Sequence, residues 1–299
     1  MERFVEVEPG VSLWVESRGP EDAPAVLLIM GANASGLAWP DELMDVLARK
    51  YRVIRYDHRD TGASTWAFDT KPYALTRLAK DALAVLDALG IARAHVVGLS
   101  VGGYLTQWLL VEHSERLLSA TVIGAAALQG TPALADGTAQ APIDPELLEF
   151  WSHMFEPRDR EAEIEWRVEN WRRLHGRVIP FDAEEFRALE RRIIAHAGRH
   201  DNPGAHARAD YSALARGAEL VHVTVPTLVL ATPEDPTCPA SSARHLAENI
   251  PRATLVTMEG MGHSIPRAVV PRLAAALLSH FEAAEGAVPA PPPRSQPRP

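Results

Sequence analysis

Apolar and polar positions along the chain repeat with two periods, and the switches between them mark out the elements. Phe4-Val5-Glu6-Val7-Glu8 and Leu13-Trp14-Val15-Glu16 alternate in polarity on either side of Pro9-Gly10. A period of two around such a turn predicts an opening β-hairpin. The runs Ala25-Val26-Leu27-Leu28-Ile29, Val53-Ile54-Arg55-Tyr56 and Ala94-His95-Val96-Val97 are apolar almost throughout, as strands covered on both faces must be. Helical text at 41–49 and 75–89 separates them. A parallel crossover needs about a dozen residues or more, usually a helix. The alternation therefore predicts an α/β fold with a mostly parallel central sheet flanked by helices. The pattern returns with strands near 119–123, at 227–231 and at 253–258, and with helices at 241–249 and 267–284.

Between 128 and 217 the text changes to charged helical stretches, notably 160–175 and 182–196, with no strand-like run. This predicts a core built from 1–127 and 218–285 and a helical cap inserted at 128–217. Residues 286–299 are Pro-rich without apolar periodicity, which predicts an extended or disordered tail. An apolar content of 46% suffices for a large core. Cys238 is the single cysteine, so no intrachain disulfide or Cys-rich zinc site is expected, and a reducing, cytoplasmic setting fits. The first residues carry Glu2, Arg3, Glu6 and Glu8 and lack the layout of a secretory signal, and no apolar run reaches about 18 residues. No membrane partner is expected. A net charge of -9 repels phosphate backbones, so no nucleic-acid partner is expected either. Oligomeric state is not legible.

The strongest local signal is Gly98-Leu99-Ser100-Val101-Gly102, set directly between the strand at 94–97 and a helical run at 103–112. A strand-to-helix turn this tight exposes its serine, and the glycines let neighbouring elements approach. A serine hydroxyl needs a base, and the base a carboxylate that orients it. His263, in Gly260-Met261-Gly262-His263-Ser264, follows the last strand. The other eleven histidines fall in strands, helices, a different loop, or the cap and its borders. For the acid, Asp235 and Glu234 both follow the strand at 227–231. The shorter carboxylate on a Pro-flanked turn is better fixed, which favours Asp235. A developing oxyanion needs two N-H donors, one from Val101 and one from Met30-Gly31-Ala32-Asn33. We assign the second to Ala32, although spacing alone does not separate it from Gly31.

Asp57-His58-Arg59-Asp60 and the pair His196 and His200 invite a metal reading, but neither supplies a full ligand set. The first is expected to be a turn and the second a solvated face of the cap. No metal or other cofactor is expected. The cap aromatics Trp151, Phe155, Trp166 and Trp171 either face a pocket or pack cap helices together. With Gly31 and Trp39 they form the candidate substrate-binding set.

Taken together, the segments Leu28-Ile29-Met30-Gly31-Ala32-Asn33, Trp39-Pro40-Asp41-Glu42, 53–62, Val97-Gly98-Leu99-Ser100 and Gly260-Met261-Gly262-His263 resemble the anthracycline methylesterases of the aclacinomycin type. The resemblance covers nearly the whole chain apart from the tail. It implies an α/β-hydrolase fold with a helical cap, a Ser100, Asp235, His263 triad, an oxyanion hole from Ala32 and Val101, and a pocket for an apolar polycyclic ester. It departs at Val101 and Gly103, where the family carries Met and Ala, and through residues 128–153. The expected activity is carboxylic-ester hydrolysis through an acyl-enzyme. Lactone opening, C-C bond hydrolysis with the same triad, or a non-catalytic ligand receptor are the rivals.

Overall fold

A computed structural model describes residues 1–132 and 143–286. Their strands form one eight-stranded sheet. Strands β1 (Glu2–Glu8) and β2 (Val11–Arg18) make the expected antiparallel hairpin. Strands β3 (Ala25–Ile29), β4 (Arg52–Tyr56), β5 (Ala94–Leu99), β6 (Leu117–Ile123), β7 (Thr227–Ala231) and β8 (Ala253–Thr257) run parallel. The order across the sheet is β1-β2-β4-β3-β5-β6-β7-β8.

Because successive strand side chains point to opposite faces, each parallel strand feeds two apolar layers. Leu27 and Ile29 join one layer with Leu78 and Leu86 of helix α2 (Thr76–Ala88), Leu105 and Leu109 of α3 (Val101–Glu112) and Leu246 of α8 (Ala240–Asn249). Val26 and Leu28 join the other with Leu43 and Leu47 of α1 (Asp41–Leu47) and Leu273, Leu277 and Phe281 of α9 (Val270–Gly286). Helix α9 takes in Gly286, the first residue of the segment expected as tail. Residues 287–299 lie outside the described residues.

Among the described residues between β6 and β7 are four α-helices: α4 (Pro145–Ser152), α5 (Arg160–His175), α6 (Ala183–Ala197) and α7 (Ala205–Arg208). Each of the first three starts at an aspartate, Asp144, Asp159 and Asp182, whose carboxylate accepts from N-H groups of the first turn. This satisfies donors that have no intrahelical partner. Ile164 and Val168 of α5 pack on Phe186 and Ile194 of α6.

The expected solvated histidine pair is corrected here. His200 lies beyond the end of α6, and His196 is docked on the core, with Nε2 2.7 Å from Asp57 Oδ2 and its ring edge-on to Trp14. Asp57 also accepts from Ser35 Oγ at 2.6 Å and from the N-H groups of Gly36 and Ala63. Residues 57–60 thus form a turn held by side chains, and Asp57 is one point where the inserted helices meet the sheet. Trp39 also departs from expectation. It is fully buried in the core layer of α1 and α9, and its carbonyl accepts from Arg55 Nη1 at 2.6 Å.

Candidate active site

Ser100 alone bridges β5 and α3, with φ 56° and ψ -120°. A positive φ costs a side chain on the order of 1–3 kcal/mol, and the surroundings hold it there. The Ser100 N-H donates to Ile123 O at 2.9 Å, and the Ser100 carbonyl accepts from Gly103 at 2.8 Å and Tyr104 at 3.2 Å. The turn closes only because the flanking residues are glycines. A Cβ on Gly98 would strike the Gly102 carbonyl and Thr106 Oγ1, and one on Gly102 would strike the Ile29 carbonyl.

The loops after β7 and β8 bring up the other two groups. His263 Nδ1 lies 2.6 Å from Asp235 Oδ2, which leaves Nε2 as the nitrogen free for the serine. Asp235 is 5% exposed, and its Oδ1 accepts from Thr237 N at 2.8 Å, Thr237 Oγ1 at 2.7 Å and Cys238 N at 3.0 Å. Burial alone would raise the Asp235 carboxyl. The His263 charge and the bonds from His263 and Thr237 outweigh it and hold the group below the usual carboxylate range. Glu234 turns away, packs beneath Gly176 and accepts from the Arg177 N-H at 3.1 Å.

Ser100 and His263 open on one cavity of about 470 Å³, lined from the core by Met30, Gly31 and Ala32 and from the inserted helices by Trp151, Trp166 and Trp171. Val101 lines it too. Among the described residues, neither the Ala32 nor the Val101 N-H has a protein acceptor, as donors awaiting an oxyanion require. The neighbouring Asn33 N-H is taken, donating to His206 Nδ1 at 2.9 Å.

Three of the four cap aromatics reach the cavity. Trp151 Nε1 donates to Asn170 Oδ1 at 2.8 Å, and Trp171 Nε1 donates to Glu190 Oε1 at 2.6 Å. Trp166 stacks on Phe150 at 4.8 Å. Phe155 does not reach it. It follows α4, sits over Gly204 and is 56% exposed. Trp39, buried beneath α1, is not in the lining either. Charged groups on the wall are internally matched: Arg167 bonds Glu163, Glu190 and the carbonyls of His200 and Asp201.

Several site residues escape a reading of spacing. Thr237 cradles Asp235, and Gly124, at φ 57°, leaves room for the pair: a Cβ there would lie 3.1 Å from both Asp235 Oδ2 and His263 Nδ1. The signal for Gly124 was its place after β6 in Ile123-Gly124-Ala125. Trp66, Met154 and Tyr211 also line the cavity, and nothing local distinguishes them.

Residues 24–266 match the alpha/beta hydrolase fold family. The chain belongs to that family. It is 43% identical over 291 residues to rhodomycin D methylesterase DnrP of Streptomyces peucetius, covering 92% of this chain and 96% of that one. Rhodomycin D methylesterase DauP of Streptomyces sp. strain C5 matches to the same extent. A hydrolase from Pseudomonas aeruginosa PA01 superposes with a TM-score of 0.70 at 29% identity, over 94% of this chain and 98% of its own. The protein is therefore a carboxylic-ester hydrolase and a relative of the methylesterases. Among the described residues no helix is long and apolar enough to cross a membrane.

Proposed function

We propose that the protein cleaves the methyl ester of a bulky, polycyclic acid through a serine acyl-enzyme. The observation that carries this is the joint wall of the cavity. Ser100 on its strained turn and His263 bonded to Asp235 line it together with Trp151, Trp166 and Trp171. Ser100 Oγ attacks the ester carbonyl while His263 Nε2 takes its proton, and the Asp235 carboxylate stabilises the imidazolium that forms. The N-H groups of Ala32 and Val101 receive the oxyanion. His263 then protonates the leaving methoxide to methanol. Water, activated by the same imidazole, hydrolyses the acyl-enzyme, so one ester and one water yield one acid and one alcohol.

The helices between β6 and β7 act as the cap that selects the acyl part. Burial of a flat ring system against tryptophans gains roughly 25 cal/mol per Å² of apolar surface, and a methoxy group leaves little to bind on the alcohol side. The names of the methylesterase relatives support the same substrate class. Cytoplasmic action is supported by the lone cysteine, and a net charge of -9 opposes a nucleic-acid partner.

The test compares a polycyclic aryl methyl ester with p-nitrophenyl acetate, using wild type, Trp151→Ala, Trp166→Ala and a Ser100→Ala control. Losing about 50 Å² of contact should raise KM for the methyl ester roughly tenfold and leave the acetate unchanged. Turnover by Ser100→Ala would remove the nucleophile. Equal effects on both esters would mean that the tryptophans only hold the helices together. No turnover of either ester by wild type would favour a receptor.

A further inference from the structure

We infer that His206 is a positioning residue for the oxyanion loop: its Nδ1 lone pair holds the Asn33 N-H and so fixes the peptide that follows Ala32. The inference rests on the reading above, in which the Ala32 N-H receives the oxyanion.

His206 belongs to α7, 173 positions along the chain from Asn33, and is fully buried. Its Nε2 lies 3.0 Å from the Arg59 carbonyl, which can only accept, so the ring proton is on Nε2. Nδ1 is then bare, and it accepts from the Asn33 N-H at 2.9 Å. The bond is reciprocated, since the His206 N-H donates to Asn33 Oδ1 at 3.3 Å. This loop needs holding. Asn33 has φ 58°, a left-handed conformation that a non-glycine residue keeps only when its surroundings impose it. A second consequence follows from the hydrogen-bond roles. Capture of the Asn33 N-H by His206 takes that donor out of play, and the Ala32 N-H, without an acceptor among the described residues, is left to meet an oxyanion from this loop.

The surroundings keep the ring neutral. The His58 ring stands edge-on at 5.5 Å with its own Nε2 on the Met30 carbonyl, and the Arg59 guanidinium is engaged by Asp81 and Glu8. Burial chiefly, with His58 and Arg59 adding to it, depresses His206 to about 3. A proton on Nδ1 would point at the Asn33 N-H and expel it. The helices that grip the acyl part therefore also set the geometry that stabilises the tetrahedral intermediate, through one imidazole.

The test uses His206→Asn, His206→Gln and His206→Leu in the full chain, with p-nitrophenyl acetate as a substrate too small to report on the distant cavity wall. An asparagine oxygen stands where Nδ1 stands and keeps the Asn33 bond, whereas glutamine reaches only the Arg59 carbonyl. Loss of a whole oxyanion donor costs about 10²–10³ in kcat. We therefore expect displacement of this one to lower kcat roughly ten- to a hundredfold in the Gln and Leu variants with KM nearly constant, while Asn stays within about threefold of wild type. Affinity for phenylboronic acid, which presents an oxyanion to the same donors, should fall in parallel with kcat. Melting temperatures should drop alike for Asn and Gln. Equal kcat losses in Asn and Gln, or losses that follow melting temperature, would overturn the inference, and that pair decides it even if Leu fails to fold. Wild-type turnover abolished by Ser100→Ala keeps the esterase reading standing independently of the outcome.

Discussion

Replacing Asp235 by Asn tests the orientation of the histidine without changing the shape of the site. The two carboxylate oxygens have different surroundings. Oδ1 accepts from the N-H groups of Thr237 and Cys238 and from the Thr237 hydroxyl, whereas Oδ2 faces His263 Nδ1 at 2.6 Å. Two backbone N-H groups cannot turn round, so the amide of Asn must put its oxygen at Oδ1 and its NH2 toward the imidazole. Nδ1 then becomes the acceptor, the ring proton moves to Nε2, and the nitrogen that should take the Ser100 proton already holds one. Presenting the wrong tautomer costs about 10⁴ in kcat in the well-studied serine-protease case, which is about 5.4 kcal/mol of transition-state stabilisation. Steady-state kcat on p-nitrophenyl acetate at neutral pH should fall by that order with little change in KM. Glu234→Gln, at a carboxylate that accepts from the Arg177 N-H and does not line the cavity, should stay within about threefold. An Asp235→Asn variant keeping more than roughly a tenth of wild-type kcat, or a crippled Glu234→Gln, would refute the assignment.

Gly124→Ala should leave the chain folded yet cut kcat by roughly tenfold or more, since its Cβ would lie 3.1 Å from both Asp235 Oδ2 and His263 Nδ1 on a left-handed residue; unchanged kinetics would show that the pair does not depend on that space. Acid should also destabilise the protein through buried imidazoles. Burial is the main cause that depresses His58 to about 4 and His206 to about 3, below the roughly 6.5 of the unfolded chain. Their contribution is complete above about pH 6.5 and is lost as pH falls toward the folded values, because in that window the unfolded chain binds more protons. With both fully titrating in U, the pair removes nearly 3 kcal/mol per pH unit. Urea midpoints measured at pH 7.5, 6 and 5 should decline accordingly, and a flat profile would contradict the neutral assignment.

The sheet was readable because two-sided burial leaves a compositional mark: runs such as Ala25–Ile29 contain nothing polar to solvate. The candidate triad could be proposed from the sequence because Ser100 directly follows β5 and Asp235 and His263 lie in the loops after β7 and β8, so position along the chain stands in for proximity in space. Pairings made by the inserted helices left no such mark. His196 lies on α6 among charged residues, and its partner Asp57 is 139 positions away. Trp39 looked like a ligand contact because a tryptophan beside a cavity loop and one beneath a helix have the same local text. Phe155 erred in the other direction, as an exposed aromatic just past the end of α4 whose neighbour Met154 is the one that lines the cavity.

The glycines beneath Ser100 bear on how far this protein can be altered. A side chain at position 98 or 102 would meet backbone carbonyls, which have no rotamer to escape into, whereas Trp151, Met154 and Trp166 line the cavity without closing any such turn. Random mutagenesis should therefore give a sharply uneven yield. Libraries at 98, 100 and 102 would return almost entirely inactive clones, while libraries on α4 and α5 would return folded enzymes with shifted substrate profiles. For anyone seeking a new ester specificity, the productive positions lie some fifty to seventy residues downstream of the nucleophile, and the chemistry can be left untouched while they are searched.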